Sequence, residues 1–301
     1  MDGLSSETLA QLLAPINGLL ATRYLAAVGL VCALYDHILT FHEEWQYMWL
    51  RDRWDSTRVI FFMIRYCNEG GLLCVAYIFS GMRGDLTDAS CKGFFLSLGL
   101  LGIVAIGCAN GFMTLRHYAL WDRRRWAKIA LFSIFGITYG AIAVLAVFTL
   151  VELCQTTYYD TTYRVCLVHK KPWMIIGVWA AMSIFDVVTL LLAVSNALDQ
   201  PYRETVEVLE RFRRDGAIFF VTLLVLRLTN FICALVLPHY DLVITLYFVW
   251  AMVTVITCRL MLRVAEIRVE AGKLPAYSPQ AGNFSQDEYL EMNCFNRTGT
   301  R

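Results

Sequence analysis

The chain has 301 residues, 58% of them hydrophobic and 17% charged, with a mean hydropathy of +0.53. Soluble domains run near ~45–50% apolar and ~25% charged, so this composition sets the chain apart from them and points to a bilayer. Its 26 Lys and Arg nearly balance 25 Asp and Glu, which removes overall basicity as an argument for nucleic-acid binding.

A helix that crosses a bilayer needs roughly 20 mostly apolar residues at ~1.5 Å each. Seven stretches qualify: Tyr24–Thr40, Val59–Ser80, Phe94–Leu115, Trp126–Val151, Trp173–Ser195, Gly216–Leu237 and Leu242–Leu262. The sequence therefore predicts an all-α integral membrane bundle of seven transmembrane helices. A short N-terminus at 1–18 precedes a membrane domain at 19–263, and an interfacial helix with a polar tail occupies 264–301. The longest gap, from Val151 to Trp173, is about twenty residues, too little for a separate soluble domain. Residues 1–18 carry Asp2 and Glu7 and lack the basic start of a cleavable signal peptide. The first span is expected to act as its own insertion signal.

Orientation follows from the Lys and Arg beside the spans. With the N-terminus outside and the C-terminus cytoplasmic, eighteen of the 26 fall inside, among them Arg51, Arg53, Arg58, Arg123, Arg124 and Arg125. Six fall outside: Arg23, Arg83, Lys92, Arg164, Lys170 and Lys171. The plasma membrane is the expected location, with the lipid bilayer as the constant partner.

Ionisable groups at membrane depth cost ~2.5–3.5 kcal/mol each on insertion scales, so each needs a partner or a wet cavity. The second span contains Arg65, Asn68 and Glu69; Arg65 and Glu69 are four apart and share a face. Beside them Gly70 and Gly71 open the backbone to a neighbour. The fifth span carries Asp186, and the sixth carries Arg227 and Asn230, three apart. Asp186 and Arg227 are candidate partners across neighbouring helices. These six residues make either the polar floor of a ligand site or interhelical clamps, which contribute ~0.6 kcal/mol on average. Gly107 with Gly111, and Gly136 with Gly140, form two GxxxG patterns that predict close helix contacts.

Of ten cysteines, Cys91, Cys154 and Cys166 lie at or near the expected outer face, where oxidation is permitted. Three pairings exist and spacing does not choose among them. A Cys91–Cys166 bridge, the candidate disulfide, would pin the loop before the fifth span over the mouth of the bundle.

At the expected inner face, Leu115–Trp126 alternates bulky apolar groups with cations, as topogenic charge or a headgroup-level segment. Between the fifth and sixth spans, Tyr202, Val206, Leu209 and Phe212 recur at helical spacing, with Arg211 and Arg213 elsewhere on the wheel. That amphipathic surface is a candidate dock for a heterotrimeric G protein or another cytosolic partner; lipid and neighbouring helices are the competing occupants. No catalytic residue, metal site or cofactor is expected. His37, His42, Glu43 and Glu44 form one local cluster without a second histidine group to complete it, and the last span has no lysine for a retinal Schiff base.

Several local patterns occur together: Tyr35–Glu44 (YDHILTFHEE), Trp49–Trp54 (WLRDRW), Phe61–Tyr66 (FFMIRY), Leu115–Trp121 (LRHYALW) and Arg214–Phe220 (RDGAIFF). With them the chain resembles a large family of seven-helix membrane proteins from basidiomycete fungi that carry an N-terminal domain of unknown function. The signature block lies at about 24–66, and the resemblance covers the first six spans. It implies signature roles for Asp36, Glu43, Glu44, Trp54, Arg65 and Tyr66, and Cys91 and Cys166 match its outer cysteines. Asp186 stands at a glutamate-like position, and Ile64-Arg65-Tyr66 replaces an Asn-Arg-Tyr. The architecture implied is receptor-like. The acidic signature residues are expected to pair with Arg51, Arg53 and Arg58 in a compact inner loop. The functional expectation is a non-enzymatic receptor for an extracellular or lipidic ligand that signals at its inner face. The alternative is a small-solute transporter or channel using Arg65, Glu69, Asp186 and Arg227 as a polar path.

Overall fold

The computed structural model describes residues 6–50, 54–82, 86–120, 125–199, 207–238 and 243–273. Helix α1 (Ser6–Glu44) continues through a π-helical turn at Trp45–Trp49, and α2 (Ser56–Phe79) holds a second π-helical turn at Met63–Cys67. Then follow α3 (Asp88–Leu120), α4 (Arg125–Thr156), an antiparallel hairpin of β1 (Thr157–Asp160) and β2 (Val165–Val168), α5 (Met174–Asp199), α6 (Glu207–Val236) and α7 (Leu246–Lys273). Among the described residues, seven helices are long and apolar enough to cross a membrane.

The helices pack as a ring in which α1 touches α2 and α7, and α3 to α7 follow as successive neighbours. Helix α7 is the most enclosed, because it also leans on α2. Large apolar side chains face outward, with Ile38 75%, Ile137 74% and Val236 76% exposed. In water such a surface would aggregate; against lipid it is the expected face. The interior, by contrast, encloses Glu44, Arg65, Asn68 and Asn110.

Two helices run well past their expected spans. The first reaches from Ser6 to Glu44 and takes in Pro15, so Asp36 and His37 lie inside it rather than in its last turns. Its early residues are held by packing: Leu19 joins Phe79, Val165 and Tyr247 in one core cluster, a tertiary contact that hydropathy does not report. The third reaches Leu120, so Arg116 and His117, expected in an inner loop, are helical and buried. Arg116 lies over the Phe220 ring at 5.4 Å, and the His117 ring centroid is 4.7 Å from that of Phe220.

The two GxxxG patterns separate. A side chain at Gly107 would strike Tyr139, whose hydroxyl is 2.6 Å from the Cβ position, so this glycine is a true close approach of α3 to α4. Gly136 and Gly140 would meet nothing within 4 Å. The second pattern makes no helix contact among the described residues, because it lies on a face of α4 that none of them approaches. Likewise a Cβ added at Gly71 would lie 2.9 Å from Trp250, whereas one added at Gly70 would meet no described residue within 4 Å.

The hairpin was not anticipated. Its turn is shaped by Asp160, whose Oδ1 accepts from the amides of Thr162 (2.8 Å) and Tyr163 (3.1 Å), and by Arg164 at φ 54°. Asp88, opening α3, accepts the Tyr159 amide at 2.8 Å, and Arg23 of α1 donates to the Tyr163 carbonyl at 3.1 Å.

Candidate functional site

Arg65 centres the first of two buried polar groups. It sits in the π-helical turn of α2 and is 1% exposed. Its guanidinium donates to Thr40 Oγ1 at 2.7 Å and lies 3.2 Å from Glu44 Oε2. Glu69 and Asp36 follow at 3.8 and 3.9 Å. Thr40 donates its own proton to the Asp36 carbonyl at 2.8 Å, so its oxygen is free to accept from Arg65. Glu44 also accepts the Tyr66 hydroxyl at 2.5 Å and the Trp49 indole N–H at 3.0 Å. His37 Nδ1 lies 2.7 Å from Glu69, and Arg259 of α7 donates to Asp36. Three helices are thereby tied through carboxylates, guanidinium groups and one imidazole, the pairing that buried charge requires.

This geometry corrects the inner-loop expectation. Asp36 and Glu44 turn inward to Arg65 and Arg259, while His42 and Glu43 stay exposed. Successive helical residues are turned by about 100°, so neighbours in sequence part company. Arg58 donates to the Trp49 carbonyl at 2.8 Å and stacks over Trp54 at 4.5 Å. Arg51 and Arg53 lie outside the described residues.

The second group joins α3, α5 and α6. Arg227 donates through Nη1 to Asp186 Oδ1 and through Nη2 to Asn110 Oδ1, each at 2.9 Å. Asn230, one turn further along α6, accepts the Thr245 hydroxyl at 2.9 Å. Asn68 of α2 donates to Thr254 Oγ1 of α7 at 3.0 Å.

Between these elements lies a cavity of about 230 Å³. Phe95, Leu98, Ile106, Val178 and Met182 supply apolar wall; Asn68, Arg227, Asn230, Thr254 and Thr257 supply the polar part. Of the residues singled out from sequence, Asn68, Arg227 and Asn230 line it, while Arg65, Glu69 and Asp186 do not. The hairpin packs against two of its lining residues, Phe95 and Leu153. Cys91 and Cys166 are disulfide-bonded with Cα atoms 5.5 Å apart, and they pack with Phe95 and Leu153, which also line the cavity.

Tyr202 and Val206 of the expected docking surface lie outside the described residues. Leu209, Arg211, Phe212 and Arg213 fall on α6, but their side chains lie outside the described ones.

The lipid-facing apolar surface, the seven long helices and the paired interior charges define an integral, multi-pass membrane protein. Within it, residues 24–67 match the model of a family described as "Family of unknown function (DUF6533)". The matched segment contains Asp36, His37, Thr40, Glu44, Arg65 and Tyr66, most of the first buried group. No curated protein and no solved structure matches the chain.

Sequence reading missed Asn110, Thr257 and Arg259. Asn110 offered a signal, a lone amide within an apolar span. Arg259 looked like flanking charge, and nothing in sequence placed it beside Asp36.

Proposed function

We propose that this protein is a receptor-like seven-helix protein of the plasma membrane that senses a small ligand in the bundle cavity. It signals from the end opposite the hairpin. The observation that carries this reading is the cavity, apolar with a few polar groups, flanked by the disulfide-bonded hairpin and bordered by Arg227. Arg227 bonds to both α3 and α5, so an occupant that displaces it changes how three helices are held. The disulfide favours an oxidising environment for the hairpin side, in agreement with the Lys and Arg bias that puts the N-terminus outside and the C-terminus in the cytoplasm. The resemblance to basidiomycete seven-helix proteins supports the same architecture. The reading carries no catalytic step, metal or cofactor, and its cytosolic partner is a heterotrimeric G protein or another signalling protein at the Tyr202–Arg213 segment.

The test is guanine-nucleotide exchange on co-reconstituted heterotrimeric G protein, comparing wild type with Arg211→Glu/Arg213→Glu in matched nanodiscs. Exchange above empty discs that falls in the double variant supports the reading. No exchange, even with candidate ligands, shifts the weight to solute passage. That alternative draws on Arg227 lining the cavity, and it expects flux in proteoliposomes that is lost in a folded Asp186→Asn variant.

A further inference from the structure

The cavity wall holds polar atoms that are buried and, among the described residues, have no protein partner. Asn68 is 2% exposed and Thr257 is 1% exposed, and Asn68 Oδ1 and Thr257 Oγ1 are both unpartnered. The Asn68 amide has a fixed orientation. Thr254 donates its proton to the Trp250 carbonyl at 2.9 Å, so it must accept from Asn68 Nδ2, which leaves Oδ1 as a bare acceptor. Thr257 lies three residues beyond Thr254 on α7, on the same face of the helix and about 4.5 Å further along its axis, and it lines the same cavity. An unpartnered acceptor and an unpartnered hydroxyl on one cavity wall are groups that an alcohol can satisfy: its proton goes to Asn68 Oδ1 and its oxygen accepts from Thr257. Buried groups of this kind are costly to leave unpaired, so a ligand that pairs them gains affinity.

Charge narrows the ligand further. Arg227, the cation in the wall, already gives Nη1 to Asp186 and Nη2 to Asn110. A carboxylate head would bring a charge with no free counter-ion into a low-dielectric interior. Apart from Asn230, whose Nδ2 also lacks a partner among the described residues, and the threonines, the wall is mainly apolar, so the body of the ligand is hydrocarbon. A cavity near 150 Å³ accepts benzene, so about 230 Å³ holds roughly nine non-hydrogen atoms.

We propose that the cavity is a binding site for a neutral, medium-length aliphatic alcohol, with its hydroxyl set between Asn68 and Thr257 and its chain along Phe95, Leu98 and Ile106. This names the ligand class of the site on which the receptor reading rests. Binding is measurable apart from signalling.

Trp179 and Trp250 line the cavity and supply the readout, because a bromine atom quenches indole fluorescence on contact. The full chain in nanodiscs is titrated with bromo-octanol, bromo-octane and bromo-octanoate. Gly102 lines the cavity and would meet nothing within 4 Å of an added Cβ, so Gly102→Phe, or Gly102→Leu if that variant fails to fold, fills the space. The expected result is saturable quenching by bromo-octanol, absent in the Gly102 variant and weakened about tenfold in Thr257→Val, all with unchanged thermal midpoints. Bromo-octane and bromo-octanoate should bind at least about tenfold more weakly. Unsaturable quenching identical in wild type and the Gly102 variant, meaning lipid partition or a cavity holding water, overturns the proposal. So does an alkane or carboxylate that binds as tightly as the alcohol. Saturable alcohol binding without nucleotide exchange keeps the site and removes the receptor reading; exchange without such binding does the reverse.

Discussion

Glu44 and Arg65 stand 3.2 Å apart on neighbouring helices and are 0% and 1% exposed, so neither charge has water to fall back on. Arg259, which bonds Asp36 from α7, keeps 47% of its side chain exposed. Removing one member of a buried pair leaves an uncompensated charge and costs about 3–5 kcal/mol, whereas exposed pairs contribute about 0–1 kcal/mol. Arg65→Met should therefore lower the thermal midpoint in nanodiscs far more than Arg259→Met. Equal losses would mean that the group is wet.

The disulfide spans 75 residues of sequence. Removing a bridge of this reach typically costs about 2–4 kcal/mol. Cys91→Ser and Cys166→Ser should destabilise the protein alike, and the double variant no further. Cys154→Ser should leave the non-reducing peptide map unchanged. A Cys154-linked peptide in wild type would refute the pairing.

Gly107 and Gly136 look alike in sequence and should behave oppositely. Gly107→Leu drives a side chain into Tyr139 and should cost about 1–3 kcal/mol, as overpacking does. Gly136→Leu enters open space and should be tolerated or mildly stabilising, because it removes a glycine from a helix interior. The comparison needs only thermal midpoints of the two variants.

Tyr158 in β1 stacks on His169 at 3.9 Å, and burial, then the Asp160 carboxylate, raises its phenol above the ordinary 10.0. A raised acid favours the protonated folded form. Its contribution is complete below the unfolded value and is lost as pH climbs past it. The hairpin should loosen above about pH 10, read as release of the Tyr159 amide in hydrogen exchange. Tyr158→Phe should flatten that alkaline dependence; an unaltered profile would assign it to another group.

Apolar run length decided the number of helices, because each helix closes its own hydrogen bonds and needs only lipid to satisfy its surface. Asp186 and Arg227 were legible as a pair because an isolated charge at that depth is costly. The ends of α1 and α3 were not, since Leu19 is held by Phe79 and Val165 and Arg116 by the Phe220 ring. Nor was the hairpin, whose short strands carry too little pattern to stand out.

By itself the sequence determined the class: a multi-pass bundle whose interior must pair Arg65, Glu69, Asp186 and Arg227. Tertiary structure alone decided the remaining partners and the cavity. Arg259 meets Asp36 across 223 residues, Thr254 meets Asn68, and only one of two GxxxG patterns faces a described neighbour. Hydropathy is a sum along the chain and sets the depth of each residue in the bilayer. Which face of a helix meets which neighbour depends on rotation about its axis, and packing fixes that rotation only when all seven helices are in place.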